Sequence, residues 1–405
     1  MTTPASLYRN AIDLNRYSNS VARRIINAYN DIILDSVAQL RAIENLDESV
    51  QAARLRSILA QLKESLATWA GDSTEVMVPE LQGLAELQSE FVEEQLKKVL
   101  PAGSRSIVNT VEISPQFAQA VVTTDPTQLN AVVLSDDLFA AVQGAPQTFS
   151  LTAEQGATIT MPNGKVVNKA FRGLAENQAE RFGQIVRQGL LTGEPTQEIA
   201  SRLVGQLERA GDIQLKFGQS ALSVKQLQLA GGELTKMASH QVMTIVRTSV
   251  NQVSNAASQQ VYEANQDVTQ KYRYVATLDT RTSAICRALD GREFEYGKGP
   301  KPPQHFNCRS TTVPVVDYKR LGLTPPKPGR RASMKGAVPG DTTYGKWLAN
   351  PENELEKKKV LGKKAPYFDR LSKKYGPDAA IAKLVRDDGS ELTLEQLRRR
   401  YGRLQ

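Results

Sequence analysis

The sequence is poor in the residues that most often carry chemistry or covalent bracing. Two cysteines and two histidines are all it holds in 405 residues. Two thiols cannot frame a disulfide-dense secreted scaffold, and a chain of this length buries enough apolar surface to need no such bracing. No stretch approaches the roughly 18 uninterrupted apolar residues of a membrane span, so no membrane partner is expected. The opening residues, MTTPASLYRNAIDLNRY, interrupt every apolar run with Arg9, Asp13 and Arg16 before the core of a signal peptide could form. These absences read as a soluble protein of a reducing cytoplasm. Phosphate-cradling loops are missing too, since neither GxxxxGK[ST] nor GxGxxG occurs.

Charge is present but uneven. Residues 319–405 carry 21 Lys and Arg against 10 Asp and Glu, a surplus of 11 positive charges. The preceding 318 residues carry 30 against 33, so the net +8 arises entirely at the C-terminal end. A basic extension on a near-neutral body fits contact with nucleic acid through counterion release, and equally a solvated surface.

Hydrophobic periodicity predicts a mainly helical chain. Ile12, Tyr17, Val21, Ile25, Tyr29, Ile32 and Leu40 fall at helical spacings, Val50 to Leu66 continue the pattern, and a further apolar series from Leu81 to Val99 follows Pro79. Residues 1–100 thus read as two or three long helices. Residues 101–167 lean toward β structure in SIVNTVEIS and NAVVLSDDLF, and ATITMPNGKVV turns on Asn163-Gly164 as a hairpin does. Helical spacing returns with Phe171, Leu174, Phe182, Ile185, Val186 and Leu190, and Pro195 suits the first turn of the next helix. From about Gly232 to Val261, Val242, Val246, Val250, Val253, Ala257 and Val261 form one apolar stripe beside a small-polar stripe of Arg247, Asn251, Ser254 and Ser258. His240, near the start of that helix, reads as structural or exposed. KYRYVATLD, REFEYG and RSTTVPVVDY then read as strands and TRTSAICRALDG as a short helix or turn. The fold class expected is α+β, mainly α: a helical region at 1–100, a β-rich segment at 101–167, a central module with a small sheet at 168–322, a basic Pro/Gly linker at 323–340 and a basic helical tail at 341–405.

The rare residues gather in the central module. Cys286 precedes His305 by nineteen residues, and His305 precedes Cys308 by three. Thiolate and imidazole are preferred zinc ligands, and a tight loop paired with a distant turn is a common way to assemble them. Only three such donors exist here, so a fourth ligand must come from a carboxylate or water; Asp279, at a strand end, is the first choice over Asp290 and Asp317. Three other readings use the same residues: a Cys286–Cys308 disulfide, a Cys/His dyad acting on protein or nucleic acid, and two buried thiols beside a histidine. No oxyanion-hole element or second nearby histidine accompanies the dyad, so no catalytic residue is assigned, and no organic cofactor is expected.

Three stretches taken together resemble the phage Mu protein F-like family of head morphogenesis, or minor head, proteins: RTSVNQVSNAA, then TLDTRTSAICRALDGREF, then PPQHFNCRST. YGKWLAN and LGKKAPYFDRL look like the segment that often follows, so the likeness covers about residues 170–375. It implies a virion component made in the host cytoplasm and held inside the capsid, associated with the portal protein and with the major capsid or scaffold protein. It also implies a role in head assembly, with departure alongside the DNA at ejection. Non-specific double-stranded DNA is the partner expected for the basic tail, whose removal at 323–405 is expected to leave the body folded. The resemblance favours a structural zinc on Cys286, His305, Cys308 and Asp279, with Arg281 and Arg309 neutralising excess charge or pairing Asp290.

Overall fold

The computed structural model describes residues 5–43, 46–115, 117–118, 167–205, 232–325, 329–386 and 389–402. The chain divides into two compact units, one of Arg16–Glu80 with Lys165–Ser249, the other of Met1–Asn15, Leu81–Gly164 and Val250–Gln405. No helix among the described residues is long and apolar enough to cross a membrane.

The helical stretch at the N-terminus resolves into α1, Ala5–Arg41, and α2, Glu48–Val99. Pro79 lies inside α2 and does not end it. The missing amide costs one backbone hydrogen bond, but Trp69, Ala70, Met77, Leu81 and Ala85 keep one buried helical face running through the proline. The helical unit is completed by α3, Val167–Leu191, α4, Thr196–Val204, and the first half of α5, Glu233–Ala264. Its core centres on aromatic rings. Trp69 stands edge-on to Tyr29 at 5.3 Å and to Phe171 at 5.8 Å, and donates its indole N–H to the Ile25 carbonyl at 3.0 Å. The buried Tyr29 hydroxyl donates to Gln178 Oε1 at 3.0 Å, so neither polar handle is left unsatisfied.

The mixed unit is built around a three-stranded antiparallel sheet in the order β2-β1-β3, where β1 is Thr269–Val275, β2 Glu293–Glu295 and β3 Thr311–Val316. Lys271 faces Glu295 and Val315, and Tyr272 faces Phe294 and Pro314. Between β1 and β2 sits α6, Ala284–Leu289. One side of the module buries Val92, Leu96 and Leu100 of α2 with Val261 and Tyr262 of α5 and Tyr272 of β1. The expected β character at 106–114 is not found. Ala102–Ile107 is a 3-10 turn, and the extended residues after it are pinned by side chains rather than a ladder. Glu93 Oε1 accepts from the Val111 amide at 2.6 Å, and Asn265 exchanges bonds with the Asn109 amide and carbonyl at 2.6 and 3.1 Å. Pairing groups already satisfied this way have no need of a strand. The NAVVLSDDLF and Asn163-Gly164 readings lie outside the described residues.

Beyond β3, the Gly/Pro-rich stretch contains a hairpin of β4, Arg330–Ser333, and β5, Gly336–Pro339. It leads into α7, Tyr344–Ala349, α8, Glu354–Leu361, α9, Ala365–Tyr375, α10, Pro377–Ala382, and α11, Leu394–Tyr401. These helices enclose Trp347, Leu348, Tyr367, Phe368, Leu371, Ile381 and Leu397, and Leu278 from the end of the sheet region joins them. Part of the basic charge is internally matched: Lys357 bonds Asp369 and Glu354 at 2.7 Å each, and Lys364 and Arg287 share Glu391.

Candidate metal centre

The site is assembled from two short segments, each fixed by its own local bonds. Ser283 caps α6 by accepting from the Cys286 amide, which sets Cys286 in the first turn. The proline-rich loop is tied at its start by the Tyr272 hydroxyl, which donates to the Lys298 carbonyl at 2.9 Å, and by Lys301, buried and 3.2 Å from Glu263. Its end folds into a tight turn in which the Cys308 amide donates to the His305 carbonyl at 3.1 Å. Asn307 takes a left-handed φ of +57° there, a conformation asparagine tolerates better than most residues.

Asn251 of the small-polar stripe and two polar residues beside it, Asn255 and Gln259, hold β3 against α5. Asn251 donates to the Ser310 carbonyl at 2.8 Å, Asn255 Oδ1 accepts from the Thr312 amide at 3.2 Å, and Gln259 donates to Thr312 Oγ1 at 2.9 Å. These bonds clamp the start of β3 two to four residues after Cys308. Sequence spacing placed only Asn251 in the stripe; the roles of Asn255 and Gln259 and the partner of all three are visible only in the fold.

The three rare side chains meet. Cys286 Sγ lies 3.8 Å from Cys308 Sγ and 3.4 Å from His305 Nε2, and all three donor atoms fall within 4.8 Å of one another. Both cysteines are free thiols and buried; His305 is half-buried. His305 Nδ1 contacts the Phe306 carbonyl at 2.8 Å, so Nδ1–H donates and Nε2 faces the thiols. Tyr274 of β1 places its hydroxyl 3.2 Å from Cys286 Sγ. Burial pushes the Cys286 thiol well above its ordinary range, and the Cys308 contact adds to the rise. Burial acts on Cys308 in the same sense, but hydrogen bonds from Cys286 and His305 outweigh it and hold that thiol well below its ordinary range. For His305, burial lowers the ring and the Cys308 contact raises it further, for a net rise. Their mutual contacts couple the titrations of the three groups, so any pKa belongs to the group rather than to one residue.

Asp279 does not join them. Arg309 grips its carboxylate with both terminal nitrogens, at 2.5 and 2.9 Å, and the Arg281 amide and Thr282 hydroxyl add bonds at 3.0 and 3.1 Å. Those bonds offset the upward push of burial and lower its pKa. The Arg281 guanidinium is largely exposed and reaches Asp279 only at 3.8 Å. Asp290 is paired by neither arginine. Its partner is Arg331 on β4, which bonds it at 2.6 and 3.0 Å and also reaches the Ala276 carbonyl. The same carboxylate accepts from the Ala276 and Tyr344 amides at 2.6 Å each. Arg331 escaped the sequence reading because it sits among Gly and Pro, where the only signal was the Lys335-Gly336 turn between two short runs.

Residues 180–313 match the model of the family described as phage Mu protein F like protein, a span that contains Asp279, Cys286, His305 and Cys308. A Haemophilus influenzae protein described as an uncharacterized protein is 25% identical over 167 residues, 36% of this chain and 37% of that one. The chain thus aligns with little more than a third of that relative. No solved structure matches.

Proposed function

We propose that this chain is a phage minor head protein acting in head morphogenesis inside the capsid. The observation that carries this reading is the Mu F-like match over 180–313, the segment in which the Cys/His turn and its clamp on α5 are built. The Mu F-like family is one of phage head morphogenesis proteins. Its partners in this reading are the portal protein and the major capsid or scaffold protein, with packaged double-stranded DNA held without sequence preference by the basic C-terminal region. Exposed Lys359, Lys363 and Lys373 support the DNA contact, because cations free in solvent can replace condensed counterions.

Heads assembled from the portal and capsid genes with and without this chain test the proposal. The chain is expected to co-purify with portal-containing heads, as measured by mass spectrometry. Heads of unchanged composition that never contain it would overturn the reading. For the DNA contact, changing Lys359, Lys363 and Lys373 to Gln is expected to lower the slope of log affinity against log salt by about 0.9 for each phosphate no longer neutralised. An unchanged slope would remove these residues from the interface.

A further inference from the structure

We propose that Cys286, His305 and Cys308 bind one zinc-class cation as a three-donor fastening, with Asp279 outside the coordination sphere. The geometry carries this independently of any role in the head. Zn–S bonds of about 2.3 Å and Zn–N bonds of about 2.0–2.1 Å at tetrahedral angles give an S–S edge of about 3.8 Å and an S–N edge of about 3.5 Å. The observed separations are 3.8 and 3.4 Å. A disulfide would instead require the two sulfurs to close to about 2.05 Å.

The surroundings are those of a ligand set. A metal-bound histidine commonly donates its other ring N–H to a carbonyl, which fixes the tautomer and aims the lone pair at the metal. His305 has that arrangement, with Nδ1 on the Phe306 carbonyl and Nε2 toward both thiols. Two thiolates and a neutral imidazole around a divalent cation sum to zero charge, which suits a buried site. The Tyr274 hydroxyl can donate to the Cys286 thiolate from 3.2 Å and so support it from outside.

Asp279 is excluded by its own bonds. Its two oxygens are held by Arg309, Thr282 and the Arg281 amide. Among the described residues no fourth His, Cys, Asp or Glu donor joins the group, which leaves the fourth position to a solvent-derived donor. Soft thiolates select against magnesium and calcium, so the cation is zinc or a close relative such as cobalt. Its effect is to join the first turn of α6 to the His305–Cys308 turn.

Cobalt titration of the reduced full chain is the test, because tetrahedral cobalt–thiolate coordination gives charge-transfer absorption that a mere thiol pair does not. One equivalent is expected, with the band retained in Asp279→Asn. Cys308→Ser and His305→Gln are expected to weaken binding by about a hundredfold or more, since even outer partners of a metal cost ten- to a hundredfold. Where a variant fails to fold, wild-type chain carries the test by elemental zinc analysis and a count of thiols released by a chelator. No cobalt band with two freely reactive thiols would overturn the proposal, as would a Cys286–Cys308 disulfide in chain purified without oxidant. Loss of the equivalent in a folded Asp279→Asn variant would overturn the three-donor set.

Discussion

Two fastenings hold the same small module, and they contrast in almost every respect. The Cys286/His305/Cys308 group lies among rare residues and joins segments nineteen to twenty-two positions apart. The Asp290/Arg331 node lies among common residues and joins β1, the β4–β5 hairpin and the start of α7 through one carboxylate. The first is soft and polarisable, two free thiols beside an imidazole. The second is a fully formed ion pair whose side chains are 0% and 5% exposed. Rarity made the first conspicuous, whereas the second, built from common residue types, is visible only in the fold.

Asp290→Ala is the largest way to break that comparison. It strands Arg331 and two backbone amides, and removing one partner of a buried pair typically costs about 3–5 kcal/mol. Urea unfolding of the full chain measures it. Adding Arg331→Met is expected to recover part of the loss, and a double variant no better than the single would show that the backbone bonds, not the charge, dominate. The same node bears on truncation. Deleting 323–405 removes Arg331 and Tyr344 from Asp290 and the helices packed on Leu278, so the structure does not support the expectation that the body stays folded without them.

Gly291→Ala sharpens the picture at an intermediate scale. Gly291 has φ +80°, and an added Cβ would lie 2.6 Å from Thr343 Cγ2. A left-handed non-glycine residue costs on the order of 1–3 kcal/mol, so the midpoint of thermal unfolding should fall while the Cys/His group keeps its cobalt band. Loss of the band as well would show that the bond from the Asp290 amide to the Cys286 carbonyl, 3.1 Å, couples the two fastenings.

Asp279→Asn should have the smallest effect, and one that depends on pH. The folded pKa of Asp279 is lowered, so its pairing with Arg309 contributes stability above the unfolded value of about 3.9, and that stability is lost as pH falls through the lower folded value. Urea unfolding at several pH values should show wild type ahead near neutrality, with the gap closing below about pH 4. A gap that persists in acid would assign the effect to packing rather than to the ion pair.

Much of this was legible in advance. The steps of three and four through Val242, Val246, Val250 and Val253 gave α5, and β-branched runs gave the strands around the site. Of the two or three long helices read in residues 1–100, the described residues form two, because burial on both sides of Pro79 carries α2 through the proline. SIVNTVEIS misled because strand propensity says nothing of whether Glu93 and Asn265 will satisfy its backbone first.

The site divides along the same line. Sequence by itself determined that the chain is mainly helical, that its two cysteines and one of its two histidines stand close together at 286, 305 and 308, and that its positive charge gathers at the C-terminal end, because periodicity, rarity and charge are properties of residue order alone. Tertiary structure decided the partners. Whether Arg309 would take Asp279 or Asp290, whether Asp279 would reach the thiols, and what the Gly/Pro stretch would hold depended on distances between segments far apart in the chain. A carboxylate goes to whichever cation and amides the fold brings within hydrogen-bond reach, and composition does not encode that distance.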